Sequence, residues 1–121
     1  MIVDLSEAAG NAMLDLLGFM MNGGSIELRT GDGKVLAVLK LANPAAQDAI
    51  GRALEFNKIA EEDAALAQGT VLDARILASD GSEVFSCDVG DENSDAVIKL
   101  NTTKIYRGGP VRLQSFRLVM P

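Results

Sequence analysis

Between Ser6 and Met20, apolar residues recur at Ala9, Ala12, Met13, Leu16, Leu17 and Met20, the three- and four-residue steps that align side chains on one face of a helix. Ser6 stands where an N-cap belongs, and Asn22-Gly23-Gly24 is a strong stop. The spacing predicts one short amphipathic helix. Its stripe, with Met13, Met20 and Met21, suits a core-packing face first and an adaptable docking surface second. After Gly24 the period falls to two. Ser25 to Thr30 alternates, with Ile26 and Leu28 on one face and Glu27 and Arg29 on the other, as a strand half exposed to water does.

The rest of the chain continues in strands. "VLAVLKL", residues 35–41, is apolar on both faces and reads as a strand covered on both sides, with the helix as one cover. Residues 45–69 are rich in Ala, Glu and Gln and carry helical propensity, but Gly51 interrupts them and residues 52–59 also alternate. We place a strand over 52–59 and a connection after it. "TVLDARILAS", residues 70–79, puts Leu72, Ala74, Ile76 and Ala78 on one face, and the return over residues 83–89 points Phe85, Cys87 and Val89 inward. "AVIKLN" is a further strand. In the last strand, residues 111–120, Val111 and Leu113 are one position out of phase with Phe116, Leu118 and Met120, which predicts a β-bulge near Gln114-Ser115. No sequence repeat and no linker divides the chain. The expectation is one domain over residues 1–121, with a helical region over 1–22 and strands over 25–121. It is mainly β: an antiparallel β-sandwich, jelly-roll or immunoglobulin-like, of about seven strands with one N-terminal amphipathic helix.

"RTGDGKV", residues 29–35, has the look of a phosphate loop, because glycines precede a lysine. A P-loop also needs a glycine five residues before its Gly-Lys pair and a Ser or Thr after it; Leu28 and Val35 occupy those positions. The stretch reads instead as a hairpin turn at Asp32-Gly33, with Lys34 facing solvent. Asp80-Gly81 predicts a second one.

Composition narrows the chemistry. The chain has no histidine and one cysteine, which removes the commonest general base, a Cys-His pair and any internal disulfide. Cys87 reads as a buried structural thiol. A net charge of −6 opposes non-specific nucleic-acid binding. No stretch approaches the roughly 18 apolar residues of a membrane span, and the N-terminal residues lack a basic signal-peptide region, so the chain is expected on the cytoplasmic side and off membranes. The charge is uneven: all 17 acidic residues lie at or before Asp95, whereas Lys99, Lys104, Arg107, Arg112 and Arg117 follow it. Strand pairing of this basic segment with acidic neighbours is the simpler reading. A basic face meeting an acidic face on another subunit is the sharper one and makes these five residues interface candidates.

Site chemistry is sparse. "CDVGDENSD" offers Asp88, Asp91, Asn93 and Asp95 as oxygen donors for Ca²⁺, but lacks the EF-hand order and its closing bidentate Glu, so it reads first as a solvated acidic loop. Tyr106 and four phenylalanines supply no evident platform for sugars or bases. We assign no catalytic residue, no cofactor and no metal.

Four stretches, "NAMLDLLGFMMNGGSIELRTG", "KVLAVLKLANPA", "ARILASDGSEVFSCDVG" and "AVIKLNTTKIYRGGPVRLQSFRLVMP", resemble in order a family of small proteins of tailed bacteriophages and prophages. That family reads as a helix ending Asn-Gly-Gly, an "LRIYTG"-like strand, "LLATLTLSNPAF", "WFRLTDSDGT…GSVG" and a closing "LNLNTT…AGxxVxITSFTLTLP". Here Leu28-Arg29 replaces Ile-Tyr, Asp32-Gly33 replaces a longer Pro/Ala-rich insertion, and a smaller residue replaces the central Trp. The resemblance implies a non-enzymatic virion protein, synthesised in the bacterial cytoplasm. It would act as a capsid-decorating (cement) or tail- or baseplate-associated subunit, homo-oligomeric in the particle and in contact with other phage structural proteins. The competing expectation is a stand-alone binding module for a glycan or host-surface ligand, with calcium held by the 88–95 loop.

Overall fold

Helix α1, Glu7–Met20, starts where the Ser6 hydroxyl accepts the Ala9 N–H at 3.1 Å. The Asn-Gly-Gly stop then divides three tasks among its residues. Asn22 accepts the Ala45 N–H at 2.8 Å, and Gly23 adopts a φ of +69° that favours glycine. Gly24 passes so close to the Leu77 carbonyl that any Cβ would overlap its oxygen. The computed structural model describes residues 6–59 and 64–119. Met120, at the end of the expected last strand, and residues 60–63 of the expected connection lie outside the described residues.

The strands are β1 Ser25–Arg29, β2 Val35–Lys40, β3 Ala53–Glu55, β4 Gly69–Thr70, β5 Asp73–Leu77, β6 Glu83–Asp91, β7 Ile98–Leu100, β8 Lys104–Ile105 and β9 Leu113–Val119. Seven of them form one sheet in the order β2-β1-β5-β6-β7-β9-β3, while β4 and β8 pair as a two-stranded ribbon. The fold is mainly β with one N-terminal helix, as expected. It departs from the expected antiparallel arrangement at one place: β7 runs parallel to β6, with Val89 opposite Ile98 and Asp91 opposite Leu100. Residues 92–97 fold the chain back within a short loop, and Gly90 makes this feasible, because a side chain there would collide with Ser94. The seven strands therefore make one hydrogen-bonded sheet rather than two.

Two hairpins build half of this sheet in the same way. In β1–β2, Thr30 N–H donates to the Lys34 carbonyl and Gly33 N–H to the Thr30 carbonyl; in β5–β6, Ala78 and Ser82 make the equivalent bond and Gly81 N–H donates to Ala78. Gly33 and Gly81 both have φ near +90°, at 90° and 88°. Each loop thus holds three residues where a two-residue Asp-Gly turn was expected, and each is preceded by a register shift. A repeat that the sequence hides is present in the backbone. The shift in β1–β2 also explains "VLAVLKL": Leu36 is the extra residue, so Leu36 and Ala37 both turn to the core, and two-sided burial is not required. The predicted bulge in β9 is present, since Lys99 faces Ser115 and Leu100 faces Leu113, leaving Gln114 unpaired.

Ile26, Leu28, Leu36, Leu39, Ile76, Ile98, Leu100 and Phe116 fill one main core, which Ile105 of the ribbon and the adjoining Val71 complete. β2 at one end of the sheet order and β9 next to the other end share these contacts, so the sheet curls around its own apolar face. Phe56 stacks on Phe116 with ring centroids 4.0 Å apart. On the opposite face, cross-strand charges pair: Arg29 binds Asp73 through two hydrogen bonds at 3.1 and 3.2 Å, and Arg75 lies 2.9 Å from Glu27.

Candidate interaction surface

The helix sits on the sheet the opposite way round from its periodicity. Its buried positions are Gly10, Leu14 and Gly18, whereas Ala9, Ala12, Met13, Leu16 and Met20 of the predicted core stripe are exposed and Leu17 is half-buried. Phe19 joins them on the outside. Met13, Leu16, Phe19 and Met20 are 47, 61, 73 and 46% exposed. Together they leave on the order of 400 Å² of apolar side chain on one helix face, as large as the biggest patch of an ordinary monomer.

The inversion has a physical cause in the segment that receives the helix. Residues 45–57 form a small hairpin: Ile50 and Ala53 exchange backbone hydrogen bonds around Gly51 and Arg52, both at φ near +60°. Ala46 and Phe56 pair across it, which resolves the ambiguous stretch as two extended arms with a turn and reduces the expected 52–59 strand to β3. The hairpin presents backbone N–H groups to the helix, and these need acceptors. Asp15 accepts from Ala49 at 2.7 Å and Asn11 from Arg52 at 2.8 Å. Asn11 and Asp15 are therefore turned toward the hairpin. Gly10 and Gly18 let the backbones approach: the place of a Cβ on Gly10 lies 2.7 Å from Arg52 Cγ, and that on Gly18 lies 3.5 Å from Leu54. Leu14 fills a small second core with Ala49 and Leu54. With Asn11, Asp15 and the two glycines engaged there, the outer pole from Ala12 to Met20 is left with apolar side chains. It packs chiefly on β3 and does not cover β2 as anticipated.

The basic candidates are distributed over separate elements. Lys99 on β7 and Arg117 on β9 share the solvent face of the sheet, Lys104 lies on the ribbon, and Arg107 follows it in a turn. Arg112 is half-buried and donates to the Val111 carbonyl at 3.4 Å. Arg117 lies 3.4 Å from Glu55, its cross-strand partner in β3. At that position the charge asymmetry is strand pairing within the chain.

In the acidic loop, Asp88 accepts the Val97 N–H and Asp91 the Asn93 N–H, both at 3.0 Å, while the Ser94 hydroxyl donates to the Asp91 carbonyl at 2.7 Å. These bonds hold the parallel return in place; Asn93 and Asp95 stay exposed. Among the described residues, no group of three or more acidic or cysteine side chains is arranged to hold a metal ion. Cys87 points to the core side of β6 but is only half-buried. Burial, then Asp88 and Asp73, push its thiol up to about 12, which leaves a poor nucleophile. In the first hairpin turn, the Thr30 hydroxyl donates to Asp32 and accepts the Lys34 N–H, and it holds the Asp32 carboxyl below the usual carboxylate value. Thr30, Asp32 and Lys34 of "RTGDGKV" thus close their own loop, while Arg29 binds Asp73.

A groove of about 410 Å³ opens where β3 and β9 splay apart beyond Glu55 and Arg117, lined by Phe56, Ile59, Leu113 and Phe116. No described helix is long and apolar enough to cross a membrane. The outer face of α1 is consequently the feature that calls for a function. No family model, curated protein or solved structure matches the chain.

Proposed function

We propose that the protein is a non-enzymatic structural subunit of a bacteriophage particle, working through protein–protein contacts as a capsid-decorating or tail-associated component. The observation that carries this reading is the outward apolar face of α1, centred on Leu16 and Phe19. A side chain such as Phe19 left in water forgoes ~2 kcal/mol of burial free energy, and a face of four such residues is retained where a partner covers it. The resemblance to small tailed-phage proteins supplies the setting, and the curled sheet supplies the base on which α1 is held with its apolar face outward. Its anchors at Met13, Leu16 and Met20, with Phe19 beside them, have the spacing by which a helix engages an apolar surface.

The test is incorporation. Peptides of this chain should be found in purified particles, and Leu16→Glu/Phe19→Glu should fold normally yet be absent from them. If the wild-type chain is missing from particles and binds none of their proteins, the proposal fails.

A further inference from the structure

We infer that the outer face of α1 pairs with the same face of a second copy, the two helices antiparallel about a two-fold axis beside Leu16. This rests on the reading of that face as a contact surface and names its partner.

Two observations favour a second copy, and the area available sets how strongly it can be held. The first is self-complementarity. Around Leu16 the exposed face is completed by Ala12 and Met20, each about 6 Å along the axis, and by Met13 and Phe19, each about 4.5 Å away. Reversing one helix against another sets small Ala12 at the level of Met20 of the partner subunit, Met13 at the level of the partner's Phe19, and Leu16 at the level of the partner's Leu16. Small meets large in the outer layers, and a methionine sulfur meets an aromatic ring in the next. A parallel pair would set Ala12 beside Ala12 and leave a gap. An isologous two-fold contact needs a surface that complements itself in this way.

The second observation is charge. The chain carries −6, so two copies repel wherever carboxylates meet. The only charged exposed positions of the helix are Glu7 in its first turn and Asp15, whose carboxylate is turned to the 45–52 hairpin. The outer pole itself is neutral. Antiparallel alignment also sets the helix dipoles in opposition.

Joining two faces of this size buries about 800 Å² in total, short of the roughly 1,200 Å² at which specific interfaces become stable alone. The pair is therefore reversible in dilute solution and persistent where other contacts hold copies side by side.

The experiment is site-directed crosslinking with a short bis-maleimide on the full chain. Wild-type protein is the control, because its single thiol, Cys87, is half-buried and stays protonated. Leu16→Cys places a thiol next to the axis and should give covalent dimer in a yield that rises with concentration. Ala9→Cys, on the same exposed face, is separated from its symmetry mate by roughly 21 Å along the helices and should stay monomeric. Circular dichroism confirms that both variants fold, which is expected because both side chains are exposed. No dimer from Leu16→Cys at millimolar concentration, or equal crosslinking of Ala9→Cys, overturns the inference. If Leu16→Cys stays monomeric while Leu16→Glu/Phe19→Glu is still excluded from particles that take up the wild type, the second copy is refuted and the structural role stands, with a different subunit as partner.

Discussion

Replacing the two buried glycines of α1 one at a time tests the helix orientation, because the two positions predict opposite signs. In a helix interior, Gly→Ala gains about 1 kcal/mol from reduced unfolded-state entropy and better propensity. At Gly18 the added methyl lies 3.5 Å from Leu54 and 3.6 Å from Ala46, ordinary contact distances. Gly18→Ala should then stabilise by ~1–2 kcal/mol, the upper figure including partial burial of the methyl. At Gly10 the methyl would lie 2.7 Å from Arg52 Cγ and 3.1 Å from its Cδ. Arg52 has φ +60° and its N–H is bonded to Asn11, which fixes its Cβ 3.4 Å away, so the stem clears the methyl only by changing rotamer. Overpacking costs ~1–3 kcal/mol, so Gly10→Ala should leave stability unchanged or lower it by up to ~2 kcal/mol. Urea unfolding followed by circular dichroism measures both, and a 1 kcal/mol gain in a chain of this size raises Tm by about 4 °C. If the periodic stripe faced the sheet instead, both glycines would face water and both variants would gain about 1 kcal/mol alike. Equal stabilisation would refute the inverted helix.

Gly24→Ala should cost ~3 kcal/mol or more, because the new methyl meets the Leu77 carbonyl and must prise β1 from β5, whereas Gly33→Ala meets open space and should cost only the ~1–2 kcal/mol of a left-handed backbone; thermal melts of the two distinguish them. Cys87 should resist alkylation at pH 8 in the native state and react once denatured. Because its folded pKa lies above the ordinary thiol value of 9.0, the stability it contributes is complete below pH 9 and is lost as pH rises from 9 toward 12; Cys87→Ala should flatten that alkaline limb of a pH–stability curve. Asp32 and Asp80 have lowered folded pKa values, owing first to the Thr30 and Ser82 hydroxyls, so their contribution is present above 3.8 and lost as pH falls through the folded values. Asp32→Asn with Asp80→Asn should therefore reduce the acid sensitivity of unfolding below pH 4.

The strands of the two hairpins and the β9 bulge were legible because alternation has a fixed period of two, so one extra residue leaves a visible phase slip. Leu113 against Phe116 is such a slip, and the register of β7 and β9 shows the same unpaired Gln114. The helix was legible as an element but not in its orientation. Periodicity locates an apolar stripe and assumes that the stripe faces the core, but Asn11 and Asp15 were needed by Arg52 and Ala49 N–H groups far along the chain. The glycines at 10 and 18, four residues to either side of Leu14, were the available signal, since glycine inside a helix is costly unless something approaches closely. The parallel β7 was hidden for a similar reason: Gly90 reads as a weak strand residue until the loop that folds over it is known. The apolar pole of α1 suits both a core stripe and a docking stripe in sequence, because periodicity does not say which side is covered.

If a partner covers Met13, Leu16, Phe19 and Met20, oxidative footprinting of the methionines reads it directly. Met13 and Met20 are exposed on the isolated chain, whereas the adjoining Met21 is fully buried and serves as an internal standard. In dilute protein, mild peroxide should convert Met13 and Met20 to sulfoxides and spare Met21; in purified particles all three should be protected, while Tyr106, exposed on the ribbon side, stays open to hydroxyl-radical labelling. Met13 and Met20 as reactive in the particle as in the free chain would contradict the account.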